Sequence, residues 1–446
     1  MSHAAEARHL WKAQEGEEPI PIWVDCDTGH DVSKNLMNVF TILKLNPSQD
    51  AFAVLLAAQC PRLNLLGVST VHGNASLENV TKNTAGILEA IGRRDVPLYP
   101  GAAKPFCREA VHAAAIHGDS GLGGVSLLPD VESPTPEITA VEAMYKALIA
   151  TTPGTAWLVS TGALTNIALL FAVHPNLIQH LKGLSIMGGA VGGFFTHAPM
   201  GRMRERLALS KEINYAFKGA LPDFTGMPIA EVASQLRELG IIGPTEDGDE
   251  ERVHLLLDEA RQRFGNWTPY AEFNILCDPE AAYSLFTNSA LAAKTTLIPL
   301  DLTHQVCADS KVLRLLHGNS DTPSTPLRAM FSEVVTFFSE TYYKEFGMVD
   351  GPPMHDPVAV AAALAPGIFI DNDERFDVYV VTEGDDGVWE HKRDVPGRAG
   401  QCGRTIVRLV DKGKPGIRIP RTLNVPVFWE MLALSLDKAD QVSPMK

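Results

Sequence analysis

The chain has 446 residues, 45% of them hydrophobic and 20% charged, the balance of an ordinary soluble enzyme. A formal net charge of -15 argues against nucleic acid or an anionic membrane as the main partner and favours a neutral or cationic small substrate. No apolar run approaches the ~18 residues of a membrane span.

Residues 1–18 are polar and carry no apolar signal-peptide core, so we expect a disordered N-terminal tail. The six cysteines are scattered, without CxxC or framework spacing, as reduced thiols of a cytoplasmic protein would be. Ile20, Ile22 and Val24 then read as a buried strand that ends abruptly in Asp25, Asp27 and Asp31. Acids this close repel unless something positive sits among them, and oxygen-rich clusters suit a hard cation such as Ca²⁺ or Mg²⁺.

Residues 32–49 interrupt this pattern, and Asp50 then opens a helical stretch, DAFAVLLAAQ. Without the interruption the text reads DCDTGHDDAFAVLLAA: a strand end, an acidic loop and a helix whose first turn is acidic, as the helix dipole favours. The segment begins Val-Ser and ends in Gln, residues whose codons can begin GT and end AG, and we read it as a retained intron, with a genuine loop insertion as the alternative.

Strand-like and helix-like segments alternate from there on. Residues 65–71 read as strand, 77–91 as helix, 96–99 as strand, 139–150 as helix, 156–160 as strand, 166–172 as helix and 184–187 as strand. A second interruption lies between residues 193 and 264. Residues 278–286 look helical, 295–300 extended and 327–346 a long helix. Residues 375–381 and 404–409 alternate like antiparallel strands, and 427–436 form a last helix before a tail at 438–446, expected to be disordered. The order implies an α/β fold with a mainly parallel, Rossmann-like open sheet flanked by helices, a small antiparallel addition near the C-terminus, and one domain over 19–437.

Several blocks share one order: the DxDxxxDD cluster (Asp25, Asp27, Asp31 and, displaced, Asp50), GVSTVHGNASLENVTKNTAGIL, PLYPGAAKP, IHGDSGLGG, STGALTNIA, SIMGGA, GNWTPYAEFNILCDPEAA, PLDLTHQ and GPPMHDPVAV. In these the chain resembles the inosine-uridine preferring nucleoside hydrolase family, with wording similar to its eukaryotic, fungal-type uridine nucleosidases. The resemblance implies Ca²⁺ held by Asp27, Asp50, the Thr161 carbonyl and Asp356, with Asp27 also the general base. It implies ribose binding by Asp31, Asn74, Asn266, Glu272 and Asn274, the last two placed on one face of an extended AEFN stretch. Met187 would pack near the sugar, His355 would donate a proton to the leaving base or stack on it, and His117 would contact the base from the other side.

The activity implied is Ca²⁺-dependent hydrolysis of uridine- or inosine-type ribonucleosides to free base and ribose, in cytoplasmic nucleoside salvage, by a homodimer or homotetramer. Three features depart from the family: the split acidic cluster, GLGG with Gly123 in place of an acid, and the long path from Met187 to Asn266. The first leaves a catalytically impaired homologue as the alternative. A Mg²⁺ phosphohydrolase of the haloacid dehalogenase type fits poorly, because its DxDxT spacing is absent here.

Overall fold

The computed structural model describes residues 2–13, 16–29, 49–110, 127–192, 195–196, 198, 200, 229–238, 264–268, 270–346, 348–383 and 401–445. Its centre is a six-stranded sheet of β1 (Ile20–Cys26), β2 (Leu63–Thr70), β3 (Leu98–Pro100), β4 (Trp157–Ser160), β5 (Gly183–Met187) and β6 (Thr295–Ile298). All neighbouring pairs are parallel, in the order β3-β2-β1-β4-β5-β6. Helices cover both faces of such a sheet, so its strands read as apolar runs rather than alternating ones. The last five residues of β1 are all buried.

The strand order reverses between β1 and β4. Chains leaving these two strands turn to opposite faces, which opens a crevice at their carboxyl ends. The acids that follow β1 therefore emerge at the topological switch point.

Among the helices, α1 (His3–Trp11), α2 (Gln49–Gln59) and α3 (Leu77–Ala90) lie in the first third of the chain. Every residue of α2 is buried, packed between the Asp356–Leu364 and Val425–Val442 helices. A helix apolar all round has to be a core helix. The C-terminal addition is an antiparallel pair, Phe376–Val380 with Thr405–Leu409, whose first strand alternates buried and exposed residues. No helix among the described residues is long and apolar enough to cross a membrane.

The two tails differ from expectation. Residues 3–11 are helical: Ser2 caps the start, Ala7 is fully buried, and Leu10 and Trp11 pack on the main core. Their spacing of three and four residues puts these side chains on one face, a stripe too short to stand out against the polar composition. Trp11 Nε1 donates to Ser435 Oγ at 2.8 Å, fixing α1 to the last helix. That helix runs to Val442, and Ser443 Oγ donates to the Ala90 carbonyl at 2.6 Å, so the C-terminus is docked as well.

Candidate functional site

Asp27 follows β1 directly and is fully buried. Two glycines give it room. A Cβ on Gly73, just after β2, would lie 2.0 Å from Asp27 Oδ2, and one on Gly162, just after β4, 2.8 Å from Asp27 Cγ. Asn74 then donates its main-chain N–H to Asp27 Oδ2 at 2.9 Å and its Nδ2 to Oδ1 at 3.1 Å.

Asp50 is the second residue of α2, and Asp356 opens the Asp356–Leu364 helix. Both carboxylates thus sit at helix N-termini, where the dipole favours negative charge. Asp50 accepts from Thr161 Oγ1 at 2.6 Å. Its other oxygen, Oδ2, is buried with no hydrogen-bond partner.

The three acids perturb one another. Burial, then the charge of Asp50, pushes the Asp27 carboxyl well above the usual range, and the same two causes raise Asp356. Burial pushes Asp50 up to about 7 despite its hydrogen bond from Thr161. Asp50 can take up a proton near neutral pH, and a bound cation would relieve the repulsion among the three. The all-oxygen donor set, the mutual repulsion and the orphaned Asp50 Oδ2 fit a hard cation. Among the described residues, however, no three His, Cys, Asp or Glu side chains already stand in metal-ligating geometry. The Thr161 carbonyl accepts from Asn274 Nδ2 at 2.9 Å.

The segment 264–277 brings the amides and the further acid. Glu272 is not on a strand: it caps the short Phe273–Cys277 helix, accepting from Asn274 N at 2.9 Å and Ile275 N at 3.1 Å. A carboxylate can satisfy the free N–H groups of a first helical turn, and here that outweighs the strand-like alternation of AEFN. Glu272 also accepts from Gly189 N at 2.9 Å, which ties this segment to the loop after β5. Burial raises its carboxyl. Asn274 Nδ2 lies 3.3 Å from Met187 Sδ, and Met187 ends β5 as a buried member of the main core. Asn266 Oδ1 accepts from Phe273 N at 3.0 Å, closing the turn before the helix.

His355 is fully buried. Its Nδ1 lies 2.6 Å from Thr303 Oγ1 and its Nε2 2.7 Å from the Tyr342 hydroxyl. The His304 ring is 5.5 Å from it, centroid to centroid. Burial and then the charge of His304 push the His355 imidazole well below its usual range, which keeps it neutral. Two hydroxyls pin the ring in place.

Of the expected site residues, Asp27, Asp50, Thr161, Asp356, Asn74, Met187, Asn266, Glu272, Asn274 and His355 lie at the carboxyl ends of β1, β2, β4 and β5 or on the segments that cover them. Asp31 and His117 lie outside the described residues, as do residues 32–48 of the first interruption and most of the second. Sequence reasoning missed Gly162, Thr303 and Gln49, and for Tyr342 it did not find the pairing with His355. Only Tyr342 carried a signal, an aromatic on a long helix.

The pattern of the inosine-uridine preferring nucleoside hydrolases matches residues 22–430. A uridine nucleosidase of Saccharomyces cerevisiae is 30% identical over 95% of this chain and 98% of its own. A pyrimidine-specific ribonucleoside hydrolase of Escherichia coli is 30% identical over 78% of this chain and 81% of its own. Among solved structures, a purine-preferring ribonucleoside hydrolase from Gardnerella vaginalis superposes with a TM-score of 0.63 at 20% identity, covering 94% of this chain and 99% of that one, a likeness of fold alone. By its sequence pattern and its relatives, the chain belongs to the inosine-uridine preferring nucleoside hydrolase family, hydrolases that act on N-glycosidic bonds.

Proposed function

We propose that this chain is a Ca²⁺-dependent ribonucleoside hydrolase that converts uridine- or inosine-type nucleosides to free base and ribose. The observation that carries the reading is the buried trio Asp27, Asp50 and Asp356 at the switch point, with Asp27 held by Asn74. The names of its relatives, uridine nucleosidase and pyrimidine-specific ribonucleoside hydrolase, support the substrate class.

Asp27, Asp50, Asp356 and the Thr161 carbonyl would hold the ion. Bound there, Ca²⁺ makes a water easier to deprotonate. Asp27 takes the proton as the water oxygen attacks C1′ of the ribose. The C1′–N bond breaks with positive charge building on the sugar, and Glu272 and its neighbours stabilise that charge in a site shielded from water. Asn74, Asn266 and Asn274, with Glu272, are of the types that recognise sugar hydroxyls, and Asp31 joins them by its place in the motif. His355, held by the Thr303 and Tyr342 hydroxyls, stands by its place in the motif beside the departing base. The resemblance to the family supports a place in nucleoside salvage and a homodimer or homotetramer.

A second reading, an impaired homologue, is favoured by one observation: among the described residues the acids are together but not in ready ligating geometry. Expressing the chain with and without residues 32–49, and assaying ribose release from uridine and inosine with Ca²⁺ or chelator, separates the two. Activity only in the shortened form would mark the chain as written as impaired. Silence of both forms would end the hydrolase reading.

A further inference from the structure

Gln49 is the last residue of the interrupting segment and the first of α2, directly before Asp50. It is 2% exposed. Its Nε2 donates to the Pro353 carbonyl at 2.8 Å, and its Oε1 accepts from the main-chain N–H of His355. One side-chain amide therefore joins the start of the helix that bears Asp50 to the turn that delivers His355 and Asp356, 306 residues along the chain. The turn is fixed from its other side by Met354 N, which donates to the Val306 carbonyl at 2.8 Å.

The chemistry of the tie is specific. A carbonyl and an N–H, one on each side of Met354, need a partner that both donates and accepts, and a primary amide offers both from one planar group. The tie also works against a force. Asp50 and Asp356 are both buried carboxyls at helix N-termini, and when ionised they repel.

We propose that Gln49 is a positioning residue that holds Asp50 and Asp356 close enough to act on one ion. This rests on the calcium reading above. It also gives the interrupting segment a local consequence. Deleting residues 32–49 puts Asp31 directly before Asp50, and an aspartate is one methylene shorter and only accepts when ionised. It offers no donor to the Pro353 carbonyl.

The test compares the full chain with Gln49→Met, which keeps the buried volume and removes both hydrogen bonds, and with Gln49→Ala. Calcium binding is measured by calorimetric titration of chelator-stripped protein, alongside melting temperature in chelator and kcat/KM for uridine. The tie predicts calcium binding at least tenfold weaker in Gln49→Met, with a folded protein, and a parallel fall in kcat/KM. A residue that merely fills space would lower the melting temperature of Gln49→Ala and leave the calcium affinity of Gln49→Met within twofold of the original, and that result overturns the proposal. If the unaltered chain binds no calcium, the metal reading fails by itself. The tie then stands or falls on kcat/KM, with unchanged activity in Gln49→Met counting against it.

Discussion

Asn74 holds Asp27 by both carboxylate oxygens, through its main-chain N–H at 2.9 Å and its side-chain amide at 3.1 Å. The first bond depends on the path of the chain after β2, the second on the side chain alone. Asn74→Ala removes only the second. A carboxylate that loses an N–H donor binds its proton more tightly, so the acidic limb of the kcat/KM profile should move to higher pH. Misorientation of the base should cost on the order of tenfold or more in kcat/KM. A pH–rate profile of the variant against uridine checks both, and a limb that stays in place would remove Asn74 from the control of Asp27.

Tyr342 and His355 form a second linked pair, 2.7 Å apart and fully inside the protein. Tyr342→Phe keeps the ring and its packing but withdraws the partner of Nε2. A buried polar atom left unpaired costs about 1–3 kcal/mol, which a denaturant titration would read as lost stability. If His355 passes a proton to the leaving base, kcat should fall more than KM rises. A variant less stable but unchanged in kcat would assign the pair to structure alone.

Much of this fold is legible in the sequence because a parallel sheet buried on both faces leaves a strong trace. Ile20 to Val24, residues 156–160 and residues 184–187 are apolar without alternation, and each strand stops at a polar or glycine-rich turn. The acids that follow β1 are legible for the same reason, since the charge begins where the apolar run ends. What could not be read depends on partners far along the chain. Nothing local to Gln49 points to Pro353 or His355, and nothing local to Gly162 shows that a methyl group there would strike Asp27. Glu272 was placed on a strand because AEFN alternates, and only three converging N–H groups, one of them from Gly189, reveal it as a cap. The α1 stripe of Ala7, Leu10 and Trp11 was hidden by its charged neighbours.

Arg404 lies over two rings of the segment that carries Asn266, Glu272 and Asn274, 5.3 Å from the centroid of Phe264 and 5.8 Å from that of Tyr270. The backbone of Arg404 also pairs with Ala271. Arg404→Met keeps a long apolar stem and loses the cation, an attraction of about 0.5–2 kcal/mol. Because the segment supplies groups proposed to grip the sugar, the expected effect is a several-fold rise in KM for uridine with a smaller change in kcat. Steady-state kinetics decides this, and an unchanged KM would show that the clamp does not reach the ribose side of the site.

The acid cluster predicts how calcium and pH act together on stability. Burial raises the Asp50 carboxyl from 3.8 to about 7 in the folded chain. A raised folded value means that the native state holds this proton more tightly than the unfolded state does. The contribution is therefore fully present below 3.8 and is lost as pH rises through about 7. Asp27 and Asp356 shift in the same direction. His355 works the other way: its depressed value means that stability is lost as pH falls below the ordinary imidazole range, so a single melting curve mixes the two effects. Comparing chelator with calcium at each pH removes most of the His355 part. Binding the ion requires ionised carboxylates and releases their protons, so the calcium-induced rise in Tm should be near zero at acid pH and grow steadily through about pH 7. Melts at a series of pH values in EDTA and in CaCl₂ measure it directly. An increment that is flat with pH, or absent at neutral pH, would mean that these carboxylates do not meet a metal ion.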